Sequence, residues 1–503
     1  MLRICAEGLC FAFSDAAPLL ESASFTLTSG FTGLSGANGA GKTTLLRLIQ
    51  GELRATSGTL RVEPHGARVI RCEQEMHAVT SELRRFAESE NRNARRLRGV
   101  LRLAELDRWD TLSSGERKRW QIAAALASEP EVLLLDEPTN HLDSLAREWL
   151  VRALSEFSGI GLVVSHDRAL LNQLTSKTLC VQDGAAVLYS GGYDDAKATW
   201  QAEQQQVLER RRRVKQRVQG LTQMLHESRA AQRGATLQRS AGRRMKSRHD
   251  SDARSILATT KAEWAQTSHG RKVEVIRHEL SNAERDLAGI RVEKELGSAV
   301  IARFSPAQSE FIAYRERAPI VRSGFPLIEA TTLSVRREDR IWIRGGNGAG
   351  KTTLLNALLG ALRIPEERVT FVPQELSAHA VREHLDAVRA LPSDVRGNVL
   401  SVVAALGVDP GRLLASAAPS PGEGRKLAIA QALGRHVHAL FLDEPTNHLD
   451  LPSIERLQVA LESYPGALVL VTHDETLGHA CTNTRWTVDE RSVRFHEGAL
   501  APG

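Results

Sequence analysis

The chain has little of what a membrane or secreted protein needs. Its uncharged stretch nearest to 20 residues, Ser22–Gly41, is rich in Gly, Ser and Thr, with little Leu or Ile. A spanning helix requires about 20 predominantly apolar residues, so no membrane span is expected. The start, MLRICAEGLCFAF, lacks the long apolar core of a signal peptide, and a cytoplasmic location is expected. Cysteine is scarce. Cys5, Cys10, Cys72, Cys180 and Cys481 are odd in number, dispersed and without CxxC spacing, which argues for reduced thiols and against a disulfide scaffold, a metal ribbon or an iron–sulfur centre. Residues 201–300 contain no proline and one aromatic residue, Trp264, so long helices are expected there.

What remains is an ordinary globular composition, 42% hydrophobic and 25% charged over 503 residues. That excludes collagen-like and low-complexity chains, and the length allows about three domains. The 66 Lys and Arg against 60 Asp and Glu leave a net charge of +6. The excess is local: residues 201–300 hold 21 basic and 12 acidic residues, leaving the rest of the chain slightly acidic.

The chain repeats itself. GANGAGKTTLLRL at 36–48 returns as GGNGAGKTTLLNA at 345–357, LLLDEPTNHLD at 133–143 as LFLDEPTNHLD at 440–450, and VVSHD at 163–167 as LVTHD at 470–474. The offsets, 307 to 309 residues, are nearly constant, which marks a duplicated domain. Two similar α/β domains, 1–196 and 304–503, are expected to flank a different middle segment, 197–303. In each copy an apolar run, Phe25–Leu34 or Arg340–Arg344, leads into a glycine-rich loop. Wholly apolar runs at 132–135, 162–164 and 467–471 predict buried strands of a parallel sheet.

In the middle segment Val207, Val214, Val218, Leu221 and Leu225 trace one apolar stripe. Val273, Ile276, Leu280, Ala283, Leu287 and Ile290 follow a 3-4 spacing, a heptad seam. The stretch from Gly234 to about Thr260 is polar, with Ser240, Gly242, Ser247, Asp250 and Asp252 as breakers. An antiparallel helical hairpin is expected, with a tip over roughly 237–260 and arms of about 35 residues, or about 50 Å.

The repeated motifs carry phosphate chemistry. Gly36, Asn38, Gly39, Gly41, Lys42, Thr43 and Thr44 form one P-loop, and Gly345, Asn347, Gly348, Gly350, Lys351, Thr352 and Thr353 the other. Glycines let backbone N–H groups wrap a β-phosphate, the Lys reaches the β- and γ-oxygens, and the first Thr hydroxyl ligates Mg²⁺. Asp136 and Asp443 end apolar strands, where a carboxylate can hold Mg²⁺. The following Glu137 and Glu444 are placed to polarise an attacking water. Gln74 and Gln374 lie between P-loop and strand, where an amide can sense Mg²⁺ and that water. His166 and His473 follow apolar strands and are expected at a γ-phosphate. Ser113 and Gly115, in LSSGE, and Ser420 and Gly422, in PSPGE, precede helix-forming stretches and suit an anion.

P-loop, Gln, LSSGE, LLLDEP, NHLD and SHD, in this order, resemble the ABC ATPases. The duplication in one chain, the DEPTNHLD wording and the long charged linker resemble their ABC-F branch. The resemblance implies an ATP hydrolase with two head-to-tail domains in one monomer, sandwiching two ATP molecules. One site would combine Lys42, Thr43, Gln74, Asp136, Glu137 and His166 with Ser420 and Gly422. The other would combine Lys351, Thr352, Gln374, Asp443, Glu444 and His473 with Ser113 and Gly115. The adenine-stacking aromatic of the family falls on Phe13. The chain departs from the family at Pro419, where Leu is usual, and at Cys72-Glu73, where an apolar-Pro pair is commoner. Both catalytic acids are present, so two hydrolysis-competent sites are expected. The short gap from Gln74 to Leu112 leaves no room for the extra arm of some members, and no sizeable C-terminal extension is expected.

From Arg210 to Arg248 there are 13 basic residues and one acid, Glu227. Such a density favours a phosphate backbone through counterion release, and the lack of aromatics points to shape and backbone contacts with structured RNA. The ABC-F resemblance implies a ribosomal target: rRNA and P-site tRNA, reached through the linker. A transporter's ATPase subunit and a DNA-maintenance ATPase are the alternatives. Housekeeping translation factor and antibiotic-protection protein stay open.

Overall fold

The computed structural model describes residues 1–13, 18–74, 76, 78–140, 142–242, 252–290, 304–322, 324–435, 437–489 and 491–497, with backbone only at 231–242, 252–270 and 322. Two compact units emerge: Met1–Ala196 with Leu296–Gly503, and Lys197–Glu295.

The first unit holds two six-stranded sheets of identical topology. In the first, the strands run Val69–Cys72, Val132–Asp136, Ile160–Val164, Gly30–Ser35, Lys177–Gln182, Ala185–Ser190 across the sheet. All neighbours pair in parallel except the last two. The second repeats the order with Val369–Val372, Ala439–Asp443, Ala467–Val471, Arg340–Arg344, Thr484–Asp489 and Ser492–Glu497. The apolar runs are the central strands. Each residue of Val132–Asp136, Ile160–Val164, Ala439–Asp443 and Ala467–Val471 is buried, as strands covered on both faces require.

Phe25–Leu34, expected as one run into the first P-loop, divides. Phe25 belongs to Leu20–Thr28, which pairs antiparallel with Arg3–Phe11, while Gly30–Ser35 enters the parallel sheet. Gly30, at φ +101°, takes the left-handed turn between them. The antiparallel layer, with Ser57–Glu63 on the other side of Arg3–Phe11, leaves no clear mark in the sequence, because a register shift between Ala6 and Leu9 breaks the alternation of its buried residues. Its counterpart in the second half is the hairpin Phe311–Arg322 with Phe325–Arg336.

Leu451, from the second half, packs in the helical core of the first, beside Tyr193 and Leu150. Tyr193 Oη donates to Glu455 Oε1 at 2.9 Å, and Arg168 Nη1 to Gln458 Oε1 at 3.0 Å. The halves therefore share apolar and polar contacts within one body.

The second unit is helical. One helix, Tyr193–Gly242, enters it with 50 residues, and Asp252–Gly289 returns with 38. At 1.5 Å per residue these are about 75 Å and 57 Å long, more than expected, because the first helix passes through Gly234 without breaking. Leu221 and Leu225 pack with Val273, Ile276 and Ala283, flanked by Val218 and Leu280. Val207 and Arg210, in the first third of one helix, line a hollow with Gly289 and Ile290 at the end of the other, which is antiparallel pairing. Val207 lies outside this seam, 40% exposed. Of the expected tip, 243–251 lie outside the described residues. Among the described residues no helix is long and apolar enough to cross a membrane.

Trp342 is the largest fully buried side chain. Its Nε1 donates to the carbonyl of Thr472 at 3.0 Å, holding the strand end that carries His473. Trp342→Phe leaves that carbonyl unpaired and should cost about 1–3 kcal/mol, read as a lower midpoint of urea unfolding without loss of secondary structure.

Candidate active site: two P-loops on one cavity

Both glycine-rich loops turn where a parallel strand ends and a helix begins, Lys42–Gln50 and Lys351–Leu359. The first glycine of each is enforced by space. A Cβ on Gly36 would stand 2.3 Å from the carbonyl oxygen of Val181, and one on Gly345 2.5 Å from that of Val488. Gly41 and Gly350 cap the helices in the left-handed region, at φ +98° and +101°. Lys42 Nζ donates to the carbonyls of Gly36 and Ala37, at 2.7 and 3.0 Å, and Lys351 Nζ to those of Gly345 and Gly346. Burial pushes both ammonium groups down from the usual lysine range.

Of the three residues expected at each Mg²⁺, the threonine and the aspartate already meet. Thr43 Oγ1 donates to Asp136 Oδ2 at 3.0 Å, and Thr352 Oγ1 to Asp443 Oδ2 at 2.7 Å. One hydroxyl and one carboxylate, completed by phosphate oxygens and water, suit Mg²⁺, which seldom takes an all-protein cage.

Glu137 and Glu444 follow in an unusual backbone state, φ +47° and +46°. A non-glycine residue there costs of order 1–3 kcal/mol and persists only when its surroundings impose it. They do: each Glu N–H donates to the neighbouring strand, to Val164 and Val471 respectively. One carboxylate oxygen accepts from the backbone N–H of His166 at 3.2 Å, or of His473 at 3.3 Å. The other, Oε1, is buried and accepts no hydrogen bond among the described residues. Burial pushes Glu137 up to about 8 and Glu444 up to about 7. Burial, aided by the neighbouring Lys42 and Lys351, pushes His166 and His473 down to about 4. The imidazoles are therefore neutral at physiological pH, with Nε2 at 3.2 Å and 3.5 Å from the orphaned oxygens. A buried acceptor without a donor, aimed into a polar cavity, fits an incoming water.

Ser113 and Ser420 cap the helices Ser114–Ala127 and Pro421–Gly434 in closed boxes. Each Oγ accepts from the N–H of Glu116 or Glu423 and donates to that residue's carboxylate. The serine proton is thus held by its own helix, a detail that a lone SSGE motif does not reveal. All the nominated residues line one cavity of about 980 Å³ except Gly36, Gly345 and Gly115. Phe13 is also on its wall, half exposed, edge-on to Phe11.

Two residues that sequence reasoning does not single out join the halves. Asp450 Oδ2 accepts from the N–H of Asn38 at 2.7 Å, and Asp143 Oδ2 from that of Asn347 at 3.4 Å. Each is also the N-cap of the next helix. Asn38 Nδ2 adds a bond to the His448 carbonyl, and Arg147 Nη2 one to the His473 carbonyl. The signal in the sequence is the duplicated NHLD, whose last residue precedes a helix in both copies.

Comparison with known proteins agrees with this geometry. A family model described as ABC transporter matches residues 20–140 and again 328–447. The tylosin resistance ATP-binding protein TlrC of Streptomyces fradiae is 31% identical, over 95% of this chain and 96% of its own. The chain belongs to the ABC-F family. Another relative of this ABC-F ATPase is the ribosome protection protein VmlR of Bacillus subtilis, 26% identical over 92% of this chain and 82% of its own. The ATP-binding protein Uup of Caulobacter vibrioides is 30% identical, over 88% and 70% respectively. Among solved structures the RNase-L Inhibitor shares the fold, with a TM-score of 0.61 over 98% of this chain and 90% of its own at 17% identity. This ABC-F protein therefore binds and hydrolyses ATP on two ABC domains.

The two aspartates should not be equivalent. Asp450→Ala removes a short bond to the opposite P-loop together with a helix cap, and should cost about 1.5–3 kcal/mol. Asp143→Ala should cost less, and the difference is read from kcat/KM for ATP in the two variants.

Proposed function

We propose that the chain is a cytoplasmic, monomeric, ribosome-associated ATPase built from two ATPase domains, 1–196 and 304–503, around a basic linker, 197–303. The observation that carries the nucleotide part is the bond from each P-loop to the aspartate of the other half. It supports a head-to-tail pair with two composite sites. In the first, Lys42 and the P-loop amides bind the phosphates, with Ser420 and Gly422 closing from the other domain. In the second, Lys351 and its loop work with Ser113 and Gly115. Phe13 offers its exposed face to an adenine.

Thr43, Gln74 and Asp136, and likewise Thr352, Gln374 and Asp443, would hold Mg²⁺, which neutralises charge on the phosphoryl group being transferred. Glu137 and Glu444 orient the attacking water at Oε1 and accept its proton, a role suited to carboxyls lifted towards neutrality. Neutral His166 and His473 stand beside that oxygen and offer Nε2 to the terminal phosphate. ATP binding closes the domains; hydrolysis and loss of phosphate let them part.

The ribosomal part rests on charge and kinship. The relatives named for ribosome protection and for tylosin resistance match along nearly the whole chain. The first linker helix bears Arg210, Arg211, Arg212, Arg213, Lys215 and Arg217 within eight residues. Closure docks this basic hairpin against rRNA and P-site tRNA, and opening withdraws it, in translation regulation or in protection from antibiotics.

The double variant Glu137→Gln, Glu444→Gln should retain ATP and co-sediment with ribosomes well above wild type. No enrichment would sink the ribosomal reading while leaving the ATPase intact; retention on DNA or in the membrane fraction would favour the other ABC ATPase roles. Replacing Arg210, Arg211, Arg212 and Arg213 by Gln should weaken ribosome binding and flatten its salt dependence. The log–log slope should fall by about 0.7–0.9 for each phosphate that the linker ceases to neutralise, with ribosome-free ATP turnover unchanged.

A further inference from the structure

The helices that begin at Ser113 and Ser420 each bury a cation where an apolar residue would be expected. Lys118 and Arg425 both lie five positions after the capping serine, and are 4% and 1% exposed. Neither forms an ion pair with a carboxylate among the described residues. Lys118 Nζ donates to the carbonyl of Asp136, at 2.8 Å, and to that of Glu73. Arg425 donates through Nη1 to the carbonyl of Glu444 and through Nη2 to that of Gln374. A buried cation is costly unless its donors are satisfied; here Lys118 Nζ and the two terminal nitrogens of Arg425 are paired by two loops that carry reacting groups, while Arg425 Nε finds no acceptor among the described residues. In both halves the partners are the loop bearing the glutamine and the strand end bearing the catalytic glutamate.

We propose that Lys118 and Arg425 are positioning residues that couple the two ATP sites. Each ties the glutamine and glutamate of its own domain's P-loop site to the helix whose serine closes the opposite site. A shift of Gln374 and Glu444 on loss of phosphate is passed through Arg425 to Ser420, at the other nucleotide. Lys118 passes the reverse signal to Ser113. The two links differ in grip. The guanidinium fork holds Gln374 and Glu444 themselves, one nitrogen on each, whereas a single ammonium holds Glu73 and Asp136, one residue earlier in both loops. The second site therefore commands the first more firmly than the first commands the second. The inference rests on the composite-site reading above.

The test measures ATP turnover of the full chain with Glu444→Gln placed in wild type and in Arg425→Met. Blocking the second site in wild type should depress turnover at the first about tenfold, beyond the loss of the blocked site's own share. In Arg425→Met the same change should remove that share alone, with KM for ATP within about twofold of wild type, as expected when ground-state binding is spared. Arg425→Lys should restore part of the coupling, and it carries the test if the Met variant does not fold. Lys118→Met with Glu137→Gln should show the weaker, reverse effect. If Glu444→Gln in wild type removes only one site's share, the sites are independent and the composite reading fails with the inference. If it depresses turnover equally in wild type and in both Arg425 variants, the composite reading stands and this inference is overturned.

Discussion

The pairing of the two halves draws on a carboxylate meeting a backbone amide from each half to the other. Asp450 accepts the N–H of Asn38, and Asp143 that of Asn347. Each aspartate caps the helix that follows it, so helix geometry and domain pairing draw on one side chain. Each P-loop, held within its own half by its lysine, thereby gains one further partner from the opposite half. The glycine-rich loops, the strand ends at Glu137 and Glu444 and the helix starts at Ser113 and Ser420 are gathered on one cavity.

Around that contact the charges are divided by task. Inside the cavity, burial holds carboxylates towards their neutral forms and pushes lysines down. The linker shows the opposite arrangement. Its arginines at 210–213 are exposed, permanently charged and outside the apolar seam formed by Leu221, Leu225, Val273 and Ile276. Chemistry is kept where water is scarce, and electrostatic attraction is kept where the solvent carries it.

Much of this is legible in the sequence because duplication removes chance. GANGAGKTT and DEPTNHLD each mark a motif that occurs twice, and every nominated residue except Gly36, Gly345 and Gly115 lines the cavity. Two of the missing glycines serve the backbone: a Cβ on Gly36 or Gly345 would strike a strand carbonyl. The antiparallel layer at Arg3–Phe11 is illegible, since the register shift between Ala6 and Leu9 interrupts its alternation of buried and half-buried residues. The roles of Asp143 and Asp450 are hidden because a cap before a helix looks local, and its second acceptor use lies some 200 to 400 residues away. Helix length exceeds the expectation because the polar stretch from Gly234 with its breaker Ser240 reads as a tip, whereas the helix continues through both to Gly242.

The left-handed backbone at Glu137 and Glu444 sets folding against chemistry at a single atom pair. Glycine would relieve the strain at either position, so selection for stability alone would erase these side chains. Their presence in both copies means that each domain gives up conformational free energy at this strand end, and, on the role proposed for these carboxylates, that its most stable version would be an inert one.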